Sequence, residues 1–219
     1  AGDVVCLHGC CHNPSGVDPT PVQWTAIADV LAECGALPLL DFAYQGFKDE
    51  PEQDAALIGE CIDAGLPTLV TWSASKNHSI YGLRTGLAAA IVSTNAEKNM
   101  VDGIYCTIVR GLHSASATFG QAIVASVQKK FSVQWRDDLR SARQMMARKR
   151  ALLIKNLPDS FHASLAGFGM FAMLPLTSEQ IVRLKTEEQV FLAPDGRINI
   201  AGIPEKRIAE LCEKIGRVF

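Results

Sequence analysis

Short apolar runs alternate with stretches of helical periodicity in the N-terminal part of the chain. DVVCLH (3–8) is apolar and short enough for a strand, and HGCCHNPSGVDP (8–19) after it is rich in turn residues. In TPVQWTAIADVLAECG (20–35), Trp24, Ile27, Val30 and Leu31 recur at helical spacing. Thr20 can cap this helix, Pro21 suits its first position, Gln23 completes a capping box and Gly35 can close its C-terminus. ALPLLD (36–41) predicts a second strand, EQDAALIGECIDAG (52–65) a second helix, LPTLVTW (66–72) a third strand and GLAAAIVS (86–93) a fourth. Near-continuous apolar strands separated by helices predict an α/β layer with a mostly parallel sheet.

From about residue 116 the pattern changes. TFGQAIVASVQKKF is helical, and QWRDDLRSARQMMARKRALLIKNL (134–157) is longer, more charged and still periodic. FGMFAML (168–174) predicts a strand, and TSEQIVRLKTEEQ (177–189) a capped helix. QVFLA and GRINIAG predict short strands around the turn PDG, and PEKRIAELCEKIGRVF predicts a terminal helix starting at Pro204. This mixture predicts a smaller α+β domain over 131–219, joined by the long helix to a larger domain over 1–130, with the boundary between 128 and 140.

Composition narrows the functional classes. The 219 residues are 48% hydrophobic and 20% charged, as in ordinary globular proteins. Lys+Arg number 21 against Asp+Glu 23, a formal charge of −2, which offers no electrostatic footprint for nucleic acid or an anionic membrane. No apolar run reaches the roughly 18 residues that span a bilayer. AGDVVCLHG has no signal-peptide pattern and reads as a strand already under way, so the chain is expected to start inside a domain. The seven cysteines are irregularly spaced and no CxxC motif pairs with another, which argues against structural zinc and for reduced thiols in the cytoplasm. The adjacent Cys10 and Cys11 are expected to fill space beside a turn.

The candidate chemistry sits where the apolar runs end. In open α/β sheets, ligands bind outside the carboxyl ends of the strands. In His12-Asn13-Pro14-Ser15-Gly16, an asparagine before proline is kept from the helical region, and it either marks a plain turn or presents its amide outward. Asp41 follows the apolar residues of PLLD. A carboxylate so near a buried layer either caps a turn or needs a cation or strong donors, and a protonated heterocyclic nitrogen would serve. Tyr44, three residues on, either packs or offers its phenol to the same ligand. In TWSASKNHSIYGLRTG (71–86), Lys76 follows an apolar strand at once. A lysine confined near other cations loses its proton more readily and can form a Schiff base with an aldehyde. The hydroxyls of Ser73 and Ser75 with the guanidinium of Arg84 would suit a phosphate. A solvated loop lysine is the plain alternative, but it explains poorly why two serines and an arginine share the loop. Together these groups match the needs of pyridoxal phosphate: an aldehyde for lysine, a phosphate for serine and arginine, a ring nitrogen for an acid and a phenolic oxygen for amide and phenol donors.

With HGCCHNPSGVDPT, LLDFAYQGF, SASKNHSIYGLRTG and GRINIAG in family order and spacing, the sequence resembles the aspartate/aromatic aminotransferases, pyridoxal-phosphate enzymes of fold type I. The resemblance extends over essentially the whole chain. It implies that Lys76 bonds the cofactor and shuttles a proton between the substrate α-carbon and cofactor C4′. It implies Asp41 as partner of the pyridinium nitrogen, Asn13 and Tyr44 as donors to the phenolic oxygen, and Ser73 and Arg84 as phosphate ligands. Arg197 would clamp the substrate α-carboxylate, with Asn13 beside it. Ile198 and Ile200 alternate as on a half-buried strand, and a planar guanidinium suits a carboxylate better than lysine does.

Two departures from the family pattern matter. Family members are longer at the N-terminus, where they hold a phosphate-binding turn, an aromatic that stacks on the cofactor ring and part of the small domain. IVRGLHSASATFG also stands where the family has R-x-x-Y/W-S-N-P-P. Arg110 matches the family arginine that reaches across a homodimer to a dicarboxylate's distal acid, or it is a surface charge at a helix end. Ser114-Ala115-Ser116-Ala117 replaces Asn-Pro-Pro and weakens a strict aspartate preference. The implied activity is transamination between an aspartate-like or aromatic L-amino acid and a 2-oxo acid such as 2-oxoglutarate. A lyase or decarboxylase on the same scaffold and a truncated, non-catalytic chain are the alternatives.

Overall fold

A computed structural model describes residues 2–219. The chain divides into two units, each built around an apolar core of its own. Unit 1 comprises the residues up to Gly9, Pro19–Gly46 and Pro51–Asp137, and unit 2 comprises Cys10–Asp18, Phe47–Glu50 and Asp138–Phe219.

Unit 1 opens with β1 (Val4–His8) and α1 (Pro21–Cys34). The predicted capping box forms: Thr20 Oγ1 accepts from Gln23 N–H, and Gln23 Oε1 accepts from Thr20 N–H at 2.8 Å. Gly35 ends the helix at φ 61, a conformation that favours glycine. Trp24, Ala28 and Leu31, spaced i, i+4, i+7, form the buried stripe, while Val30 falls on the solvent side. β2 (Leu37–Phe42), α2 (Pro51–Asp54), α3 (Ala56–Asp63) and β3 (Thr68–Ser73) follow, so the single helix expected over 52–65 is broken at Ala55. β4 (Gly86–Ile91) completes a four-stranded sheet in the order β1-β2-β3-β4.

β1, β2 and β3 run parallel, and β4 is antiparallel to β3. The reversal has a simple cause. Parallel neighbours need a helical crossover, whereas the β3–β4 connection is a loop that returns beside its own strand. Leu40, Phe42, Leu57, Cys61 and Val70 are buried with α1 in one apolar cluster. α4 (Asn95–Leu112) lies outside the predicted elements, although Thr94 and Glu97 form a capping box at its start. α5 (Thr118–Lys130) matches its expectation.

α6 (Ser132–Asn156) belongs to unit 1 through Asp137 and to unit 2 beyond it. Unit 2 then contains α7 (His162–Leu165), β5 (Phe171–Met173), α8 (Ser178–Thr186), β6 (Arg197–Asn199) and α9 (Ile208–Val218). β5 and β6 pair antiparallel, with Met173 opposite Arg197. QVFLA is not a strand. Gln189 turns into the left-handed region at φ 56, and Val190 N–H returns to Leu184 O at 2.9 Å, so the segment caps α8. Its Val190 and Leu192 pack instead on a core of Leu153, Phe161, Leu165, Leu184, Ile200 and Ile215, each fully buried. Each such side chain contributes about 1.5–3 kcal/mol through the apolar surface it removes from water.

Candidate active site

The parallel pairing of β2 with β3 sets Asp41 opposite Thr71 and Phe42 opposite Trp72. The chain therefore leaves both strands on one side of the sheet, which brings the loop of Asp41–Tyr44 beside that of Ser73–Lys76. Asp41 is half-buried, and its Oδ1 accepts from Ala43 N–H at 2.8 Å. Its other carboxylate oxygen has no hydrogen-bond partner among the described residues.

Lys76 stands in a tight turn closed by His78 N–H to Ala74 O at 3.2 Å and Ser79 N–H to Lys76 O at 3.0 Å. Its Nζ lies 4.7 Å from the ring centroid of buried Tyr44 and 5.5 Å from that of Tyr81. Among the described residues this amine makes no hydrogen bond or ion pair. Two aromatic faces therefore flank this amine, and no acid engages it among the described residues.

Ser73, Ser75 and Arg84 form one polar cluster. Ser73 Oγ lies 2.8 Å from Ser75 Oγ and accepts from Ser75 N–H at 3.1 Å. Arg84 Nη1 donates to Ser75 Oγ at 3.4 Å and to Tyr81 O at 3.0 Å, and its guanidinium lies 5.1 Å from the Tyr81 ring. Arg84 occupies the left-handed region at φ 51, which costs a non-glycine residue roughly 1–3 kcal/mol. The bonds and ring contact hold it there, two hydroxyls and a cation converging as an anion requires.

Asn13 and Arg197 meet within unit 2. Arg197 Nη1 donates to Asn13 Oδ1 at 2.9 Å, and its guanidinium lies 5.1 Å from the Phe171 ring. The Asn13 loop is shaped by Asp18, whose carboxylate accepts from Cys11 N–H and His12 N–H, each at 2.8 Å. Gly16, at φ 71, packs so closely that a side chain there would strike the Phe171 carbonyl. Buried Arg150 donates to the carbonyls of Leu165, Phe168, Gly169 and Phe171, fixing the backbone beside this loop. Burial without an acid partner in these bonds pushes its pKa below the ordinary arginine value.

Arg110 is exposed in the last turn of α4 and makes no hydrogen bond or ion pair with the other site residues. Tyr81, which touches both Lys76 and Arg84, was not among the expected site residues. Its only sequence signal was a place on the same short loop. No group of three or more His, Cys, Asp or Glu that could hold a metal occurs among the described residues.

The sequence profile of the family described as aminotransferase class I and II matches residues 1–215. The chain belongs to this family. It is 40% identical over 226 residues to an aspartate aminotransferase of Haemophilus influenzae, aligning all of this chain with 57% of that protein. It is 39% identical over 222 residues to an aromatic-amino-acid aminotransferase of Paracoccus denitrificans, with 98% of this chain aligned to 56% of that one. Among solved structures, the aromatic-amino-acid aminotransferase of Burkholderia pseudomallei, covalently bound to pyridoxal phosphate, superposes with a TM-score of 0.95 at 32% identity. That match covers 99% of this chain and 56% of the other. The chain thus has the fold type I architecture of these relatives and spans about 57% of the length of the curated relatives it matches.

Proposed function

We propose that the protein is a pyridoxal-phosphate-dependent aminotransferase that exchanges an amino group between an aspartate-like or aromatic L-amino acid and a 2-oxo acid such as 2-oxoglutarate. The observation that carries this reading is the unengaged amine of Lys76, set on one loop with the Ser73–Ser75–Arg84 cluster. The donor set fits the cofactor group by group. The half-buried Asp41 keeps one oxygen open to a ring N–H. Tyr44 O–H and the Asn13 amide are donors suited to a phenolic oxygen, and with Asn13 Oδ1 accepting from Arg197, Nδ2 is its donor end.

Bound there, pyridoxal phosphate supplies an aldehyde carbon and an electron-withdrawing ring that stabilises negative charge at the substrate α-carbon. The chain's own residues do the rest. Lys76 provides the amine that holds the cofactor and then moves the proton at the substrate α-carbon. Asp41 keeps the ring nitrogen protonated by accepting its hydrogen bond. Ser73, Ser75 and Arg84 anchor the phosphate, and Arg197 orients the substrate through its α-carboxylate.

The protein is further proposed to act as a cytoplasmic homodimer. No disulfide joins any of the seven cysteines, and no helix among the described residues is long and apolar enough to cross a membrane. Met100, Ile104, Ile108 and Leu112 recur every four residues on α4 and are all exposed, an apolar stripe that a second copy would cover. Arg110 stands in the last turn of the same helix, on a face turned away from this stripe, and is read as the group that reaches the distal acid of a dicarboxylate bound by the other copy.

Borohydride reduction in the presence of pyridoxal phosphate, followed by peptide mapping, tests the reading. A reduced adduct on Lys76, lost in Lys76→Ala together with transamination, is the expected result. Full transamination by Lys76→Ala would refute it.

A further inference from the structure

The turn that carries Lys76 is tied down by the two residues after it. Asn77 is 5% exposed. Its Nδ2 donates to Gln45 O at 3.2 Å, and its carbonyl accepts the indole N–H of Trp135 on α6 at 2.7 Å. The His78 ring stands edge-on to Trp72 of β3, with centroids 5.6 Å apart at 83°, and lies 4.9 Å from Trp135 at 30°. Its Nδ1 is 2.9 Å from Asn77 Oδ1, and its Nε2 is 3.1 Å from Gln128 Nε2 on α5.

These contacts select a tautomer. The Asn77 NH2 is committed to Gln45 O, so its oxygen faces His78 and Nδ1 carries the proton. Gln128 presents an amide donor, which requires a lone pair at Nε2. The neutral ring satisfies both. The imidazolium would set N–H against N–H at Nε2.

Indoles face the ring from β3 and α6, and an amide faces it from α5. Charged groups on these elements include Arg136 on α6, ion-paired with Glu52 and 6.0 Å from the Trp135 ring, Lys129 and Lys130 in the last turn of α5, and Lys76 on the turn itself. Burial holds the His78 pKa below its ordinary value of 6.5. Phenylalanine would fill the same space and bond neither partner.

We propose that His78 is a positioning residue for Lys76, bolting the turn that carries this amine to β3, α5 and α6. The proposal rests on the functional reading above, in which Lys76 is the reacting amine.

Two readouts on the cofactor-free chain test it in His78→Phe. Exchange of the Trp135 indole N–H, followed by NMR, is expected to rise at least about tenfold as its acceptor turn loosens. The acetylation rate of Lys76 relative to the other lysines, measured by peptide mass spectrometry, is expected to shift by at least about threefold as its surroundings open. An unchanged value of either overturns the proposal. Should His78→Phe not fold, the wild-type chain carries the test through pH. Indole exchange, corrected for its intrinsic rate, rises as pH falls through the His78 titration, and a flat profile overturns the proposal. Borohydride reduction with pyridoxal phosphate checks the underlying reading separately. If the wild-type chain gives no adduct on Lys76, that reading fails, while exchange and acetylation still decide whether His78 positions the turn.

Discussion

Arg197 of β6 donates to Asn13 Oδ1 at 2.9 Å, joining two residues 184 positions apart in the chain. The bond fixes one edge of the guanidinium and leaves its other donors for a ligand. Arg197→Lys keeps the charge and loses the planar fork. Since a bidentate charge-assisted pair is worth about 1.5–3 kcal/mol, kcat/KM is expected to fall about 10–150-fold for aspartate and phenylalanine alike. Steady-state kinetics equal to wild type would remove Arg197 from the substrate site.

Arg84 and Ser73 are expected to act on cofactor affinity. Loss of a charged hydrogen bond in Arg84→Gln should raise the dissociation constant of pyridoxal phosphate about 10–150-fold, and Ser73→Ala about fivefold. Titration followed by absorbance measures both.

Arg110 has no role in binding the cofactor in this reading, so its substitution should discriminate between substrates. In Arg110→Ala, kcat/KM is expected to fall at least about tenfold for aspartate, the loss of a charged contact, and to stay within about twofold for phenylalanine. Equal losses for both would place Arg110 outside the dicarboxylate site.

The thiols should separate by burial. Burial pushes the Cys212 pKa up to about 11, and it raises that of Cys61 as well. The thiolate is the reactive form, so iodoacetamide at neutral pH is expected to label exposed Cys6, Cys34 and Cys106 and to spare Cys61 and Cys212 until the chain unfolds. Peptide mass spectrometry with and without denaturant reads this directly.

Glu52 supplies an acid-dependent contribution to stability. Its hydrogen bond from Arg136 lowers its pKa from 4.5 to about 2. The folded state therefore binds this proton more weakly than the unfolded state. The contribution is full above pH 4.5 and fades as pH falls toward about 2. The pair is solvent-exposed, so the effect is small. Comparing Tm against pH for wild type and Glu52→Gln should show the difference narrowing over this window, and a difference independent of pH would contradict the assignment.

Much of the local structure could be read from the residues alone. Thr20 with Gln23 and Thr177 with Gln180 form the expected capping boxes because the bonds span three residues. The polar groups at the strand ends were equally legible, since an aspartate, a tyrosine or a lysine straight after an apolar run stands out without coordinates. α4 is not among the expected elements, although Thr94 with Glu97 carries the same capping signal.

Other features depend on contacts between segments distant in sequence. QVFLA has strand composition, yet the left-handed turn at Gln189 folds it back over α8, where Val190 and Leu192 find a core to bury in. The antiparallel course of β4, the Tyr44 ring beside Lys76 and the two tryptophans around His78 likewise depend on where the sheet and helices place partners. The sequence by itself determined which polar residues follow the apolar strands and where capped helices start, because capping, periodicity and side-chain type are local properties. Tertiary structure alone decided which of those groups meet, because distances across the sheet and between loops arise only when packing closes them.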